Sequence, residues 1–125
     1  MATILLIEDM NGVRSSLTTV LKAAGHQVVE ADDGEAGLQK AVEQPFDLVI
    51  TDIIMPKLDG SEVILALKER KPDLPVLAIS GGGTSVTAEN ALMMARNTAA
   101  AILPKPFSRG DLLETVDRLV GKVEA

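Results

Sequence analysis

The stretch Phe46-Asp47-Leu48-Val49-Ile50-Thr51-Asp52-Ile53-Ile54-Met55-Pro56-Lys57-Leu58-Asp59-Gly60 decides the fold. It opens as an apolar run containing β-branched residues, the pattern of a strand buried on both faces. The run ends in a carboxylate, Asp52, followed by a short segment carrying Pro56 and Gly60. An acid at the tip of a buried strand is costly unless its charge is used there. Asp52 is therefore the first candidate functional residue.

Outward from this stretch, the same pattern repeats. Thr3 to Ile7, Gln27 to Ala31, Val76 to Ile79 and Ala99 to Leu103 read as four more strands. Amphipathic helices alternate with them. The first has Asn11 as N-cap, an apolar set of Val13, Leu17, Val20, Leu21 and Ala24, and Gly25 as its stop. The second follows Asp32, with Glu35 three residues on in a capping-box pattern. Leu38, Ala41 and Val42 form its apolar face, and Gly34 and Gly37 weaken it by propensity.

The third helix starts at Asp59-Gly60-Ser61-Glu62 and ends at Lys71-Pro72. A fourth is expected from about residue 86 to 96, after the Gly81-Gly82-Gly83 loop. Ser108 and Asp111 cap the last, and Gly121 closes it. Pro104 and Pro106 place the fifth strand at a sheet edge. Five strands alternating with five helices predict an α/β fold, a doubly wound parallel sheet with helices on both faces. The chain reads as one domain over residues 1–125, with no output domain.

Composition narrows the function. Aromatics are Phe46 and Phe107 alone, so stacking platforms for single-stranded nucleic acid are missing. A net charge of −6 argues against a nucleic-acid surface. The absence of cysteine excludes disulfides, thiolate metal sites and cysteine nucleophiles. No apolar run reaches the length of a membrane span, and no signal peptide is visible, so a cytoplasmic location is expected.

In an open α/β sheet, sites form beyond the carboxyl ends of the strands. Those ends carry Glu8 and Asp9, Asp32 and Asp33, Asp52, Ser80 and Lys105. Crowded carboxylates repel one another. A hard divalent cation relieves this, and Mg2+ takes a few carboxylates plus water and phosphate oxygens. The plainer reading makes Glu8 and Asp9 helix-start acids and Asp52 a cap. Lys105, between two prolines, is a positioned cation able to pair with Asp52 or with a phosphoryl oxygen. His26, after Gly25 at a helix-to-strand turn, reads as structural or solvated rather than as a phosphorelay histidine.

Four motifs together resemble the CheY-like receiver domains of two-component response regulators. They are Leu-Ile-Glu8-Asp9, Asp52-Ile-Ile-Met-Pro56-Lys-Leu-Asp-Gly60, Ile-Ser80-Gly and Leu-Pro-Lys105-Pro106-Phe107. The resemblance runs from Ile4 to about Val120. It implies a flavodoxin-like (βα)5 sheet of strand order 2-1-3-4-5. It also implies that Asp52 accepts a phosphoryl group from a sensor histidine kinase or a histidine phosphotransfer protein. In that reading Asp9, Asp52 and the Ile54 backbone carbonyl bind Mg2+, and Glu8 acts through a metal-bound water. Ser80 hydrogen-bonds the phosphoryl group and Lys105 stabilises its charge.

The domain would then be a phosphoacceptor rather than an enzyme, at most assisting its own phosphotransfer and dephosphorylation. It would signal by phosphorylation-dependent binding to a downstream protein, without nucleic acid or membrane. The alternative is a receiver-fold scaffold that works without phosphorylation. One departure stands out: Ile102 occupies the position, three residues before Lys105, where the family usually has Tyr or Phe. A backbone-led readout through the Ser80 loop and the fourth helix is the expectation that follows.

Overall fold

The computed structural model of the chain describes residues 2–52, 60–80, 101–104 and 107–124. Along the chain come β1 (Thr3–Ile7), α1 (Asn11–Ala23), β2 (Gln27–Ala31), α2 (Gly34–Glu43) and β3 (Leu48–Asp52). They are followed by α3 (Gly60–Arg70), β4 (Val76–Ser80), β5 (Ala101–Pro104) and α4 (Arg109–Glu124). The helix expected over 86–96 lies outside the described residues.

All strands pair in parallel, in the order β2-β1-β3-β4-β5. Every residue of β3 is buried, as a central strand covered on both faces requires. Side chains alternate between two cores, following the two-residue period of a strand. Leu5, Ile7 and Val49 point to one face, where Ala41 of α2 and Val63 and Leu67 of α3 cover them. Ile4, Leu6, Leu48 and Ile50 point to the other, against Leu17 and Leu21 of α1 and Leu112 and Val116 of α4. A fully buried Leu or Ile contributes about 1.5–3 kcal/mol of apolar transfer, so these two layers dominate stability.

Polar contacts fix the register where the strands begin. Asp47 bonds Thr3 twice: its N–H donates to the Thr3 carbonyl at 2.8 Å, and its Oδ2 accepts the Thr3 N–H at 2.9 Å. His26 is buried, and its Nδ1 accepts the Ala2 N–H at 3.1 Å. Nε2 therefore carries the ring proton, and it lies 3.9 Å from Asp117 Oδ1 on α4. Of the two expected roles of His26, the structural one holds and the solvated one does not, because the ring is buried.

Several helix ends differ from the sequence expectation. Asn11 is the first residue of α1, and Met10 stands at the N-cap without a side-chain bond. Asn11 Oδ1 accepts instead from Arg14 Nη2. The cap of α2 is Asp33, one residue after the expected Asp32, and it accepts the Ala36 N–H at 2.8 Å. Ala24 and Val42 are exposed rather than core. Helix α4 runs through Gly121 to Glu124, since a glycine lowers helix propensity without terminating a helix whose other bonds persist.

Two expectations hold in detail. Gly25 has φ +94°, a left-handed conformation that ends α1 at little cost to a glycine. Ser108 and Asp111 form a reciprocal box: the Asp111 N–H donates to Ser108 Oγ at 3.0 Å, and the Ser108 N–H donates to Asp111 Oδ2 at 3.3 Å.

Gly37 has a role that propensity does not reveal. A Cβ built on it would sit 2.5 Å from Ile7 Cγ1 and 3.2 Å from Cγ2, and nearer still to Cδ1. The missing side chain lets α2 lie directly on the last residue of β1.

Candidate active site

The sheet register aligns the carboxyl ends of the strands along one edge. Ile7 pairs with Thr51 and with Ala31. Asp52 pairs with Ile79, and Ser80 with Pro104. One step past β1 brings Glu8 beside Asp52, and the chain then turns into α1 through Asp9 and Met10.

Glu8 and Asp52 are buried, at 1% and 5% exposure, and Asp9 is half-buried beside them. One carboxylate oxygen from each of Glu8, Asp9 and Asp52 lies within 4.8 Å of the others. An acid cluster out of water calls for compensating positive charge or hydrogen bonds. The donor set is all hard oxygen, matching the preference of Mg2+ for a few carboxylates with waters in the remaining positions. The residues present therefore fit that ion.

The loop that carries Glu8 and Asp9 is tightly specified. The Glu8 N–H donates to the Ala31 carbonyl at 3.0 Å, extending the β1–β2 ladder by one bond. Glu8 Oε2 accepts the Met10 N–H at 3.2 Å. Arg14 Nη1 donates to the Glu8 carbonyl at 2.8 Å, and the Arg14 N–H donates to the Met10 carbonyl at 2.9 Å. Arg14 Nε also pairs with Glu30 Oε1 of β2 at 3.3 Å.

Of the residues singled out by sequence, Glu8, Asp9 and Asp52 come together. Asp32 and Asp33 do not join them. Asp33 caps α2, and exposed Asp32 lines a separate recess with Arg14, Glu30 and Lys40. The Ser80 backbone ends β4, one register step beyond Asp52. Ile102 pairs with Ala78 in β5. Ile54 and Lys105 lie outside the described residues, as do the Gly81 loop and the expected fourth helix.

Sequence reasoning passed over Arg14. A signal was present: α1 has no acid in its first turn, and a cation there opposes the helix dipole. A basic residue in that position has a partner outside its own helix, here the Glu8 carbonyl and Glu30.

Comparison with known proteins agrees with this geometry. The response regulator receiver domain family matches residues 4–117. The chain is 36% identical to the response regulator receiver protein CpdR of Brucella abortus, over 96% of this chain and 98% of that protein. It is 38% identical to the response regulator protein FleR of Pseudomonas aeruginosa, over 94% of this chain but only 24% of that longer protein. Among solved structures, a response regulator receiver domain protein from Clostridium thermocellum superposes with a TM-score of 0.89 at 28% identity, covering 99% of this chain and 98% of that one. The receiver domain of the sensor histidine kinase PA1611 from Pseudomonas aeruginosa PAO1, solved with a magnesium ion in its active site cleft, gives a TM-score of 0.86 at 25% identity, covering 96% of this chain and 98% of that one. The parallel sheet, its carboxyl-edge acids and the match across nearly the whole chain lead to one conclusion: the chain belongs to the response regulator receiver domain family of two-component signalling.

Proposed function

We propose that Asp52 is the phosphoacceptor of this receiver domain, with the phosphohistidine of a sensor kinase or phosphotransfer protein as donor. One observation carries the reading: a buried Asp52 at the end of β3, with carboxylate oxygens of Glu8 and Asp9 within 4.8 Å of its own. A carboxylate oxygen of Asp52 attacks phosphorus in line as the bond from phosphorus to the histidine nitrogen breaks. Such transfer asks the protein for positioning and charge stabilisation more than for covalent chemistry.

Asp9 and Asp52 would hold Mg2+ directly, with the Ile54 carbonyl, and Glu8 through water. Bound there, Mg2+ offsets the carboxylate repulsion and the charge on the phosphoryl oxygens. Glu8 also holds the loop by accepting the Met10 N–H. Lys105 follows β5 directly and would supply the remaining cation. Ser80, at the neighbouring strand end, would bond a phosphoryl oxygen. Receiver domains are phosphoacceptors rather than classical enzymes, and they work with histidine kinases or phosphotransfer proteins. Phosphorylation-dependent binding of a downstream protein is the output that follows.

Incubation with Mg2+ and a small acyl phosphate, followed by intact-mass measurement, tests the reading. The wild-type chain gains one phosphoryl group, and Asp52→Asn gains none. No adduct under conditions where an established receiver labels overturns it and favours a scaffold that works without phosphorylation; an adduct persisting in Asp52→Asn overturns the assignment of the phosphoacceptor to Asp52.

A further inference from the structure

We infer that Arg14 is a positioning residue for the metal-binding acids, setting Mg2+ affinity through the backbone that carries Asp9. The inference rests on the metal reading of the acid cluster given above.

The guanidinium reaches three elements at once. Nη1 donates to the Glu8 carbonyl at 2.8 Å, Nη2 donates to Asn11 Oδ1 at 2.6 Å, and Nε pairs with Glu30 Oε1 at 3.3 Å. The Glu8 carbonyl belongs to the peptide plane that leads into Asp9. Holding that plane fixes the direction in which the Asp9 side chain leaves the backbone. Glu30 is itself anchored, because its carbonyl accepts from Lys40 Nζ of α2 at 2.7 Å. Arg14 thus ties the acid loop to α1 and to the outer strand β2, at only 17% side-chain exposure.

Two effects of removing Arg14 oppose each other. Losing a positive charge near three carboxylates favours cation binding. Losing the carbonyl bond frees the Asp9 backbone and disfavours it. Glu30 already offsets the guanidinium charge at contact distance, so the charge effect is small and the positional effect wins.

The test is titration of the 15N-labelled chain with MgCl2, following the Asp9 and Met10 amides, alongside urea unfolding without Mg2+. Arg14→Gln weakens Mg2+ affinity by about tenfold, the lower end for loss of an outer contact to a metal site. Arg14→Lys retains the charge and the fold but presents a single ammonium instead of a planar fork, so it stays within about threefold of Arg14→Gln. A lower urea midpoint in Arg14→Gln with wild-type Mg2+ affinity shows a merely structural role and overturns the inference. Full recovery of affinity in Arg14→Lys shows that the three-way guanidinium tie does not set the affinity, and also overturns it. A wild-type chain whose Asp9 amide does not respond to Mg2+ overturns the metal reading itself, and the role of Arg14 with it.

Discussion

Gly37→Ala separates two principles that predict opposite signs. By helix propensity alone, alanine in the interior of α2 stabilises the protein by up to about 1 kcal/mol. The packing says otherwise. The new methyl would lie 2.5 Å from Ile7 Cγ1 and 3.2 Å from Cγ2, well inside ordinary contact. Ile7 cannot swing away easily. It is fully buried, β-branched, and enclosed with Ala31, Val49 and Val63 in the core under α2 and α3. Overpacking of this kind costs about 1–3 kcal/mol, and three Ile7 side-chain atoms in conflict place this site near the upper end. Subtracting the propensity gain leaves a net loss of about 2 kcal/mol. With neither Trp nor Tyr in the chain, unfolding is followed by far-UV circular dichroism. The urea midpoint falls by about 1 M and Tm by about 8 °C. In a double-mutant cycle, Ile7→Ala clears all three conflicting atoms, and the pair couples by about 1–3 kcal/mol in the relieving direction. A higher midpoint for Gly37→Ala, or strict additivity with Ile7→Ala, refutes the close-approach argument.

Three further substitutions probe other links. Ser108→Ala removes the acceptor of the Asp111 N–H and lowers stability by about 1 kcal/mol in urea titration. His26→Ala leaves the Ala2 N–H without its acceptor and costs about 2 kcal/mol, again by urea midpoint; the loss is accompanied by faster hydrogen exchange at Ala2. Thr18→Val goes the other way. Its buried hydroxyl has no hydrogen-bond partner among the described residues, so removing it raises stability by about 1 kcal/mol.

The strands were legible because a sheet covered on both faces demands continuous apolar runs, and Leu48–Asp52 is buried throughout. Asp52 was legible for the converse reason: a charge ending such a run needs a use. What stayed hidden depends on neighbours distant in sequence. Asp32 and Asp33 offer the same capping chemistry, and only the backbone geometry after β2 selects Asp33. Asn11 is a good cap by type, but Arg14 takes its oxygen. Gly37 reads as a weak helix residue until Ile7 is seen beneath it. Arg14 itself is explained by a carbonyl on another element and a carboxylate on a third. Glu8, Asp9 and Asp52 were readable as a set because strand ends in a parallel sheet share an edge whatever the details of the helices.

Parallel pairing also sets an order of events. β1 and β3 are adjacent, yet the contact that starts their pairing joins Thr3 to Asp47, 44 residues apart. As the chain leaves the ribosome, Glu8 and Asp9 emerge well before Asp52, and β4 and β5 later still. With only the first two βα units made, β1 has β2 on one side and a bare edge on the other. Such a nascent chain carries Glu8 and Asp9 without Asp52, and a half-unfolded full chain carries all three carboxylates without possessing the cluster. Contacts of such long sequence separation form late and slowly compared with local ones. Whatever the three acids hold together, they hold only once β1 and β3 are paired.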